Sequence, residues 1–256
     1  MKQIKTILAA LSILTVVSSC KKDAEVTAPP ATSTNTRLVK IAYEGTNEVQ
    51  QFKYNAEGRI SEITGNGFIS KYSYTGSAVV LEIFKANNSK FVDCTNIVFD
   101  NNKIASFDFR LYNSTTGLPG SADPNVFQYD ANGYLVKKSY TGYVYDFTIA
   151  NGNTVNMKQT AASGATDNTV LEYYTDKPNK LNINLMENWY LDQYIFDKDL
   201  QGRKSVNLPK KISNAGAVTE LSYTMNAQGL PAQIVIKYTP VATGVTKITT
   251  ANLTYQ

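Results

Sequence analysis

The side chains that could do chemistry in this sequence are carboxylates and two thiols, because its 256 residues include no histidine. Without imidazole there is no Ser-His-Asp triad, no Cys-His dyad and no His ligand for zinc. Two cysteines are too few for a four-cysteine zinc site or iron–sulfur cluster. Cys94 follows an apolar stretch typical of a strand, so we expect a buried, inert thiol. We therefore predict no catalytic residues, no metal site, no cofactor and no enzymatic activity.

One segment combines acidic groups with aromatic rings. Its members are Glu187, Trp189, Tyr190, Asp192, Tyr194, Phe196, Asp197 and Asp199. A glycosidase uses two carboxyl groups that flank a sugar, so a carboxylate-dependent, glycan-active enzyme is the alternative function. No spacing here places two carboxyls across a cleft, and we favour a segment that covers the sheet. Trp189, Tyr190 and Tyr194 remain candidates for stacking on a ligand such as a sugar ring.

The first twenty residues have the pattern of an export signal. Lys2 and Lys5 precede an apolar run over residues 7–17, which is too short to span a bilayer comfortably. The run ends in Val-Ser-Ser-Cys, which resembles the lipobox of bacterial lipoproteins. We predict that Cys20 is lipidated and becomes the mature N-terminus. Each buried CH2 contributes about 0.8 kcal/mol, so two or three acyl chains on Cys20 would hold the protein at a membrane.

The basic character of the chain belongs partly to this signal. Removing residues 1–20 lowers the count of Lys and Arg from 25 to 23, against 21 acidic side chains. The pairs Lys137-Lys138 and Lys210-Lys211 are interpreted as charges that protect strand edges from aggregation. No nucleic-acid partner is predicted. A glycan or another envelope protein is the expected partner besides the membrane.

Residues 21–36 contain two prolines among small polar residues and are predicted to be a flexible tether. We expect a single domain over residues 37–256. Within it apolar and polar side chains alternate, for example over residues 107–111, 143–149 and 234–238. This period of two is typical of strands with one buried face. The 17 tyrosines are expected to lie half-buried on the sheet with their hydroxyls in water.

Short turns separate the alternating runs, and one turn sequence recurs. Residues 54–60, 129–135 and 225–230 share an aromatic residue or Met, then Asx, Ala, any residue and Gly. In a hairpin the Asx side chain bonds the backbone two residues on, and Gly takes a left-handed position. We predict an all-β fold, an antiparallel up-and-down meander curled into a barrel-like or strongly twisted sheet. About fifteen strands left flat would expose long unpaired edges.

The recurring hairpins resemble the YD repeats of secreted bacterial proteins. Together with the lipobox and the strand entry Asn-Leu-Pro-Lys-Lys-Ile at residues 207–212, they resemble a family of Bacteroidetes lipoproteins of unknown function with a porin-like fold. The resemblance spans residues 37–256 and implies a curled antiparallel meander, without any activity or catalytic residues.

A membrane-spanning porin is the alternative that this resemblance raises. It would need an outward apolar band with aromatic girdles, whereas polar residues such as Gln51 and Lys53 interrupt many strands. We therefore predict a lipid-anchored domain at the outer membrane, facing the periplasm or the cell surface. Its expected role is non-catalytic, either binding or structural.

Overall fold

A computed structural model describes residues 36–75, 78–181 and 200–256. Within these ranges all regular structure is β, in sixteen strands. The strands are β1 (Leu38–Tyr43), β2 (Val49–Tyr54), β3 (Ile60–Gly65), β4 (Phe68–Thr75), β5 (Ala78–Lys85), β6 (Lys90–Asp100), β7 (Lys103–Leu111), β8 (Asp123–Tyr129), β9 (Leu135–Tyr140), β10 (Tyr143–Ala150), β11 (Asn153–Ala161), β12 (Thr166–Pro178), β13 (Asn207–Ser213), β14 (Ala217–Met225), β15 (Pro231–Pro240) and β16 (Lys247–Tyr255).

The strands form one closed antiparallel barrel. Each strand pairs with its neighbours in sequence, and β1 pairs with β16 to close the sheet. The predicted all-β, up-and-down antiparallel meander is therefore confirmed, and it takes the barrel form. Closure satisfies the backbone groups that two free edges would have left unpaired.

Buried apolar side chains lie on the inner face of this barrel. One cluster combines residues from strands all round the sheet, among them Phe52, Leu81, Phe107, Leu171 and Leu221. Side chains alternate between the two faces of a strand, and only the inner face of a closed barrel brings distant strands together. The barrel is therefore packed with side chains at mid-height.

Polar side chains face outward in strands such as β10 and β14. In β10 the buried ring of Phe147 lies between the exposed side chains of Asp146 and Thr148. In β14 Glu220 and Ser222 are exposed on either side of the buried Leu221. These strands follow the predicted period of two, and the outer face also carries exposed valines, among them Val80, Val126 and Val170.

The two ends of the barrel carry different turns. The chain enters and leaves at the terminal end, where the N–H of Arg37 donates to the carbonyl of Gln256 at 2.9 Å and the reciprocal bond measures 3.0 Å. Because strands alternate in direction, the turns at 55–59, 101–102, 130–134, 151–152 and 226–230 share the terminal end. The far end carries the turns at 44–48, 66–67, 86–89, 112–122, 141–142, 162–165, 214–216 and 241–246.

The three recurring hairpins all lie at the terminal end. They join β2 to β3, β8 to β9 and β14 to β15, so the sequence recurs at every sixth strand. In each of them the Asx side chain accepts the N–H four residues on, at 2.8–2.9 Å. The Gly three residues after the Asx has a positive φ, at Gly58, Gly133 and Gly229. The turn chemistry is therefore the same in all three.

Six tyrosines complete the terminal end. Each lies near the end of an even-numbered strand, and its hydroxyl donates at 2.6–2.8 Å to a carbonyl near the start of the preceding strand. The pairs are Tyr54–Leu38, Tyr74–Ile60, Tyr129–Ile104, Tyr173–Thr154, Tyr223–Pro209 and Tyr255–Pro231. All six lie beyond the last ladder pair of the two strands. The expectation of water-facing hydroxyls is wrong for these tyrosines, because each hydroxyl donates to a backbone carbonyl of the preceding strand.

Residues 200–206 cross the terminal end and join three hairpins. Their backbone bonds run from Ile104 to Leu200, from Arg203 to Gly133 and from Val206 to Gly152, at 2.7–3.0 Å. Two leucines on either side of this segment in the sequence, Leu181 and Leu208, are fully buried. The tyrosines and this segment together cover the interior from the terminal side.

Basic side chains cover the tyrosine rings, as Arg37 illustrates. Its guanidinium lies 5.4 Å from the centroid of the Tyr54 ring, and a Cβ at Gly58 would collide with it. Gly58 also has a φ of +76°, a region that disfavours side chains. Gly67 has a similar φ of +78°, but a Cβ added there would meet nothing within 4 Å. Comparing the two glycines therefore separates two effects. Both positions have a backbone with a positive φ, but only Gly58 has the Arg37 side chain close to it.

We expect Gly58→Ala to lower the free energy of unfolding by about 2–3 kcal/mol and Gly67→Ala by about 1–2 kcal/mol. The extra cost at Gly58 comes from displacing Arg37 from Tyr54. Urea unfolding followed by circular dichroism measures both values. In an Arg37→Ala background the two substitutions should cost the same. Equal costs in the unmodified background would show that the Arg37 contact contributes nothing.

Candidate functional site

Most of the residues selected from the sequence lie outside the described ranges. Cys20 precedes residue 36, and Trp189, Tyr190 and Tyr194 fall between residues 181 and 200. The same interval holds Glu187, Asp192, Asp197 and Asp199. The lipid anchor and the stacking residues therefore stay predictions. Cys94 is described, and it is buried in the core as expected.

Polar side chains are buried toward both ends of the barrel. Asn125, Lys138, Thr169 and Thr219 are buried near the far end of their strands. Three others, Asn153, Thr154 and Ser205, are buried at the terminal end. The far end is therefore one part of the interior where polar groups of a ligand could be satisfied.

A cavity of about 470 Å³ lies at the far end, between strands β2 and β6. Its apolar lining consists of Ile63, Phe68, Tyr72, Ile83, Phe91 and Val92. The polar lining comes from Gln50, Asn66 and Ser70. The described lining residues include none with a charge. The volume lies within the usual range for small-molecule sites, which are mostly apolar with a few polar groups.

Two phenylalanine rings form one side of this cavity. Phe68 and Phe91 have ring centroids 5.2 Å apart with their planes at 34°, and Phe68 is 38% exposed. The cavity faces the barrel interior, because Phe68, Ser70 and Tyr72 line it while the intervening residues of β4 do not. An exposed ring beside a cavity provides apolar contact area for a ligand without any rearrangement of the core.

A second aromatic group lies in β9 and β10 near the same end. The rings of Tyr140 and Tyr145 stack at 5.8 Å with their hydroxyl oxygens 3.0 Å apart, and Tyr143 lies 5.3 Å from Tyr140. The ammonium of Lys138 lies 5.3 Å from the Tyr140 ring centroid. A cation over aromatic rings is stabilised by their quadrupoles, which helps to accommodate a lysine that is 5% exposed.

The lysine pairs do not act as edge protection, because the closed barrel has no free edge. Lys137 lies on the outer face, 4.0 Å from a carboxyl oxygen of Asp146, whereas Lys138 is buried. Lys211 lies 3.5 Å from Glu172 on the neighbouring strand. The interpretation from sequence was wrong because consecutive residues of a strand point to opposite faces, and closure turned one of them inward.

Two tyrosines in the strands that close the barrel are largely buried away from water. Burial, with a smaller contribution from the charge of Glu48, raises the pKa of Tyr43 to about 12. Burial also raises the pKa of Tyr255. Both residues belong to the two strands that close the barrel, so the closing seam is well packed.

A buried carboxylate on the outer wall has a structural role. Asp93, which is 3% exposed, accepts hydrogen bonds from Arg110 Nε at 2.9 Å and from the Tyr112 hydroxyl at 2.7 Å. The bond to Asp93 raises the pKa of Tyr112, and a bond to the same carboxylate raises that of Arg110. Asp93 thus ties the start of the long 112–122 turn to the barrel wall.

A polar groove of about 970 Å³ lies at the terminal end, where β7 and β8 diverge. Asp100, Asp130, Lys103 and Arg203 contribute to its lining. Asp130 is committed to its own hairpin, because its Oδ1 accepts two backbone N–H groups at 2.8 and 2.9 Å. The groove is therefore lined largely by turn residues, and the Asp130 side chain serves its own hairpin.

The described ranges contain neither a membrane-spanning helix nor a cluster of metal ligands. No helix found there is long and apolar enough to cross a membrane. In the same part of the chain, no group of three or more His, Cys, Asp or Glu side chains could hold a metal ion.

Comparison with known proteins gives structural relatives. No protein-family model and no curated protein matches this sequence. A porin-like protein from Bacteroides uniformis is similar in structure, with a TM-score of 0.64 and 13% identity over 86% of this chain and 96% of that one. A porin-like protein from Bacteroides vulgatus gives a TM-score of 0.58 and 16% identity, covering 86% of this chain and 99% of that one. At these identities the likeness concerns the fold, and this chain shares the porin-like fold of the two Bacteroides proteins.

Proposed function

We propose that this chain is a lipid-anchored protein of the bacterial outer membrane whose barrel binds a ligand at its far end without catalysis. The observation that carries the proposal is the packed apolar interior of the barrel, together with polar side chains on the outer face of strands such as β10 and β14. A barrel that spans a membrane has the reverse arrangement, with an apolar band facing lipid. The outer surface of this barrel is therefore suited to contact with water, and its interior is suited to the packing of side chains.

The lipobox at Cys20 supplies the membrane attachment in this proposal. Two or three acyl chains hold a protein stably, so the barrel itself has no need to enter the bilayer. The similarity to porin-like proteins of Bacteroides supports a place in the cell envelope. The recurring Asx-Gly hairpins at the terminal end support kinship with the lipoproteins that the sequence resembles.

The position of the termini suggests how the barrel is presented. The described chain begins at the terminal end, beside Gln256, so a tether of residues 21–36 attaches there. A flexible segment of this length spans roughly 20 Å on average. The far end, with its cavity and exposed rings, would then point away from the membrane surface and meet ligands from solution.

A conductance measurement tests this function. Protein lacking residues 1–20 keeps every described contact of the barrel. We expect it to remain in solution without detergent and to produce no current when added to planar lipid bilayers. A known porin in the same bilayers is the positive control. Stepwise conductance, or a requirement for detergent, would contradict a water-exposed binding barrel.

A further inference from the structure

We infer that the far-end cavity takes an amphipathic carboxylate, a molecule with an extended apolar body and one anionic head. This inference rests on the proposed function, and it names the ligand class of the same end of the barrel. Core residues line part of this cavity, and Gln50, Asn66 and Ser70 add polar groups to its wall. Its about 470 Å³ suits the body of one small amphiphile.

The apolar body follows from the cavity floor. Ile63, Ile83 and Val92 line it and also belong to the hydrophobic core. The rings of Phe68 and Phe91 form an adjacent wall. A hydrocarbon placed here would bury its own apolar surface and that of the cavity away from water. This burial is the main source of affinity in such sites.

The anionic head follows from Lys85. This residue pairs with Phe68 across β4 and β5, and its ammonium lies 5.3 Å from the centroid of the Phe91 ring. Lys85 therefore adjoins both rings of the cavity wall. In the described part of the chain no carboxylate forms a salt bridge with it, so the ammonium can pair with an anion from outside.

The polar wall fits the same head group. The side chains of Gln50, Asn66 and Ser70 present amide N–H and hydroxyl donors. No acidic side chain accompanies them among the described lining residues, so nothing there repels a carboxylate. Donors and one nearby cation favour an anion over a cation, and the apolar floor favours a hydrocarbon over a bare inorganic anion.

Titration calorimetry with matched amphiphiles tests the ligand class. Dodecanoate and decanoate, below their critical micelle concentrations, and dodecanol, below its solubility limit, are titrated into protein lacking residues 1–20. We expect one site for dodecanoate, with decanoate about tenfold weaker because two fewer CH2 groups are buried. Dodecanol should bind about fivefold more weakly, since it lacks the charge that pairs with Lys85.

Two pairs of variants locate the site. Ser70→Leu fills the cavity and should weaken dodecanoate binding at least tenfold, whereas Ser73→Leu, exposed on the other face of the same strand, should leave it unchanged.

Lys85→Gln should weaken dodecanoate binding about fivefold and leave dodecanol binding unaffected. Lys71→Gln is the control, because this exposed lysine on the outer face also lies near a phenylalanine ring, Phe84, at 5.0 Å.

The outcomes separate this inference from the function on which it rests. Absence of dodecanoate binding, full binding by Ser70→Leu, or equal affinity for dodecanol and dodecanoate would each overturn the ligand class. Thermal melting by circular dichroism establishes that every variant is folded. If dodecanoate does not bind and the bilayers show no current, the proposed envelope barrel stands and the proposed ligand class is wrong. Conductance would contradict the proposed function whatever the titrations give.

Discussion

Replacing Phe147 by lysine is expected to lower the free energy of unfolding by at least about 4 kcal/mol, and replacing Thr148 by lysine to change it by less than about 0.5 kcal/mol. The two residues are neighbours in β10. Phe147 is 7% exposed inside the barrel, and Thr148 is exposed outside it. The first substitution removes a buried ring and places an ammonium group in an apolar interior, which is costly without a partner.

The same pair would behave in the opposite way in a channel. On the lipid face of a membrane barrel a lysine costs about 2–4 kcal/mol, while positions in a water-filled lumen tolerate it. Urea unfolding of both variants, followed by circular dichroism, measures the difference. A Thr148→Lys variant more damaged than Phe147→Lys would mean that the inner and outer faces are assigned the wrong way round.

Replacing Cys20 by alanine is expected to abolish labelling of the protein by radioactive palmitate in bacterial cells. It should also move the protein from the membrane fraction to the soluble fraction. The thioether to the lipid needs the sulfur of Cys20, and no later stretch of the sequence supplies a comparable apolar segment. Because each acyl chain adds about 0.8 kcal/mol per buried CH2, the loss of all chains removes the whole anchor.

Cys94→Ala is the matched control for this experiment. Cys94 is buried in the core, so it should contribute no label, and the variant should be labelled as fully as the unmodified protein. Palmitate that persists in the Cys20→Ala variant would rule out this residue as the anchor. Loss of the label without release into the soluble fraction would mean that another part of the protein holds it at the membrane.

The antiparallel meander could be predicted from local patterns. Alternation along β10 and β15 specifies which side chains are buried together, and hairpin turns between consecutive strands specify an antiparallel order. The recurring Asx-Gly turns were also predictable, because their hydrogen bonds lie within the turn itself. These features depend on residues close in sequence, so a single sequence contains the information.

The cavity could not be predicted in this way. Gln50, Ser70 and Phe91 come from three different strands, and nothing in their own sequence context distinguishes them from other strand residues. The candidates chosen from sequence, such as Trp189, drew attention because aromatic and acidic residues are adjacent in the chain. A pocket in a closed barrel is formed by register and closure, which bring together residues that are distant in sequence.

The tyrosines also combine a feature that could be predicted from the sequence with one that could not. Their number and positions in strands favoured β structure, but their hydroxyls were expected in water and six of them donate to carbonyls of the preceding strand. Lys138 likewise looked like a surface charge and is buried. Both errors have one cause, since the partner of a side chain is known only once neighbouring strands are in register.

By itself the sequence determined the chemical limits and the local geometry of this protein. The missing histidine removes imidazole chemistry at any position, and the period of two with hairpin turns leads to an antiparallel meander, while the motif that ends at Cys20 predicts lipidation there. The tertiary structure decided that the sheet closes, that its core of apolar side chains lies inside, and that one end holds a cavity with Phe68 and Phe91 on one side. Local hydrogen bonding and side-chain periodicity act over a few residues, whereas closure depends on the pairing of β1 with β16 across the whole chain.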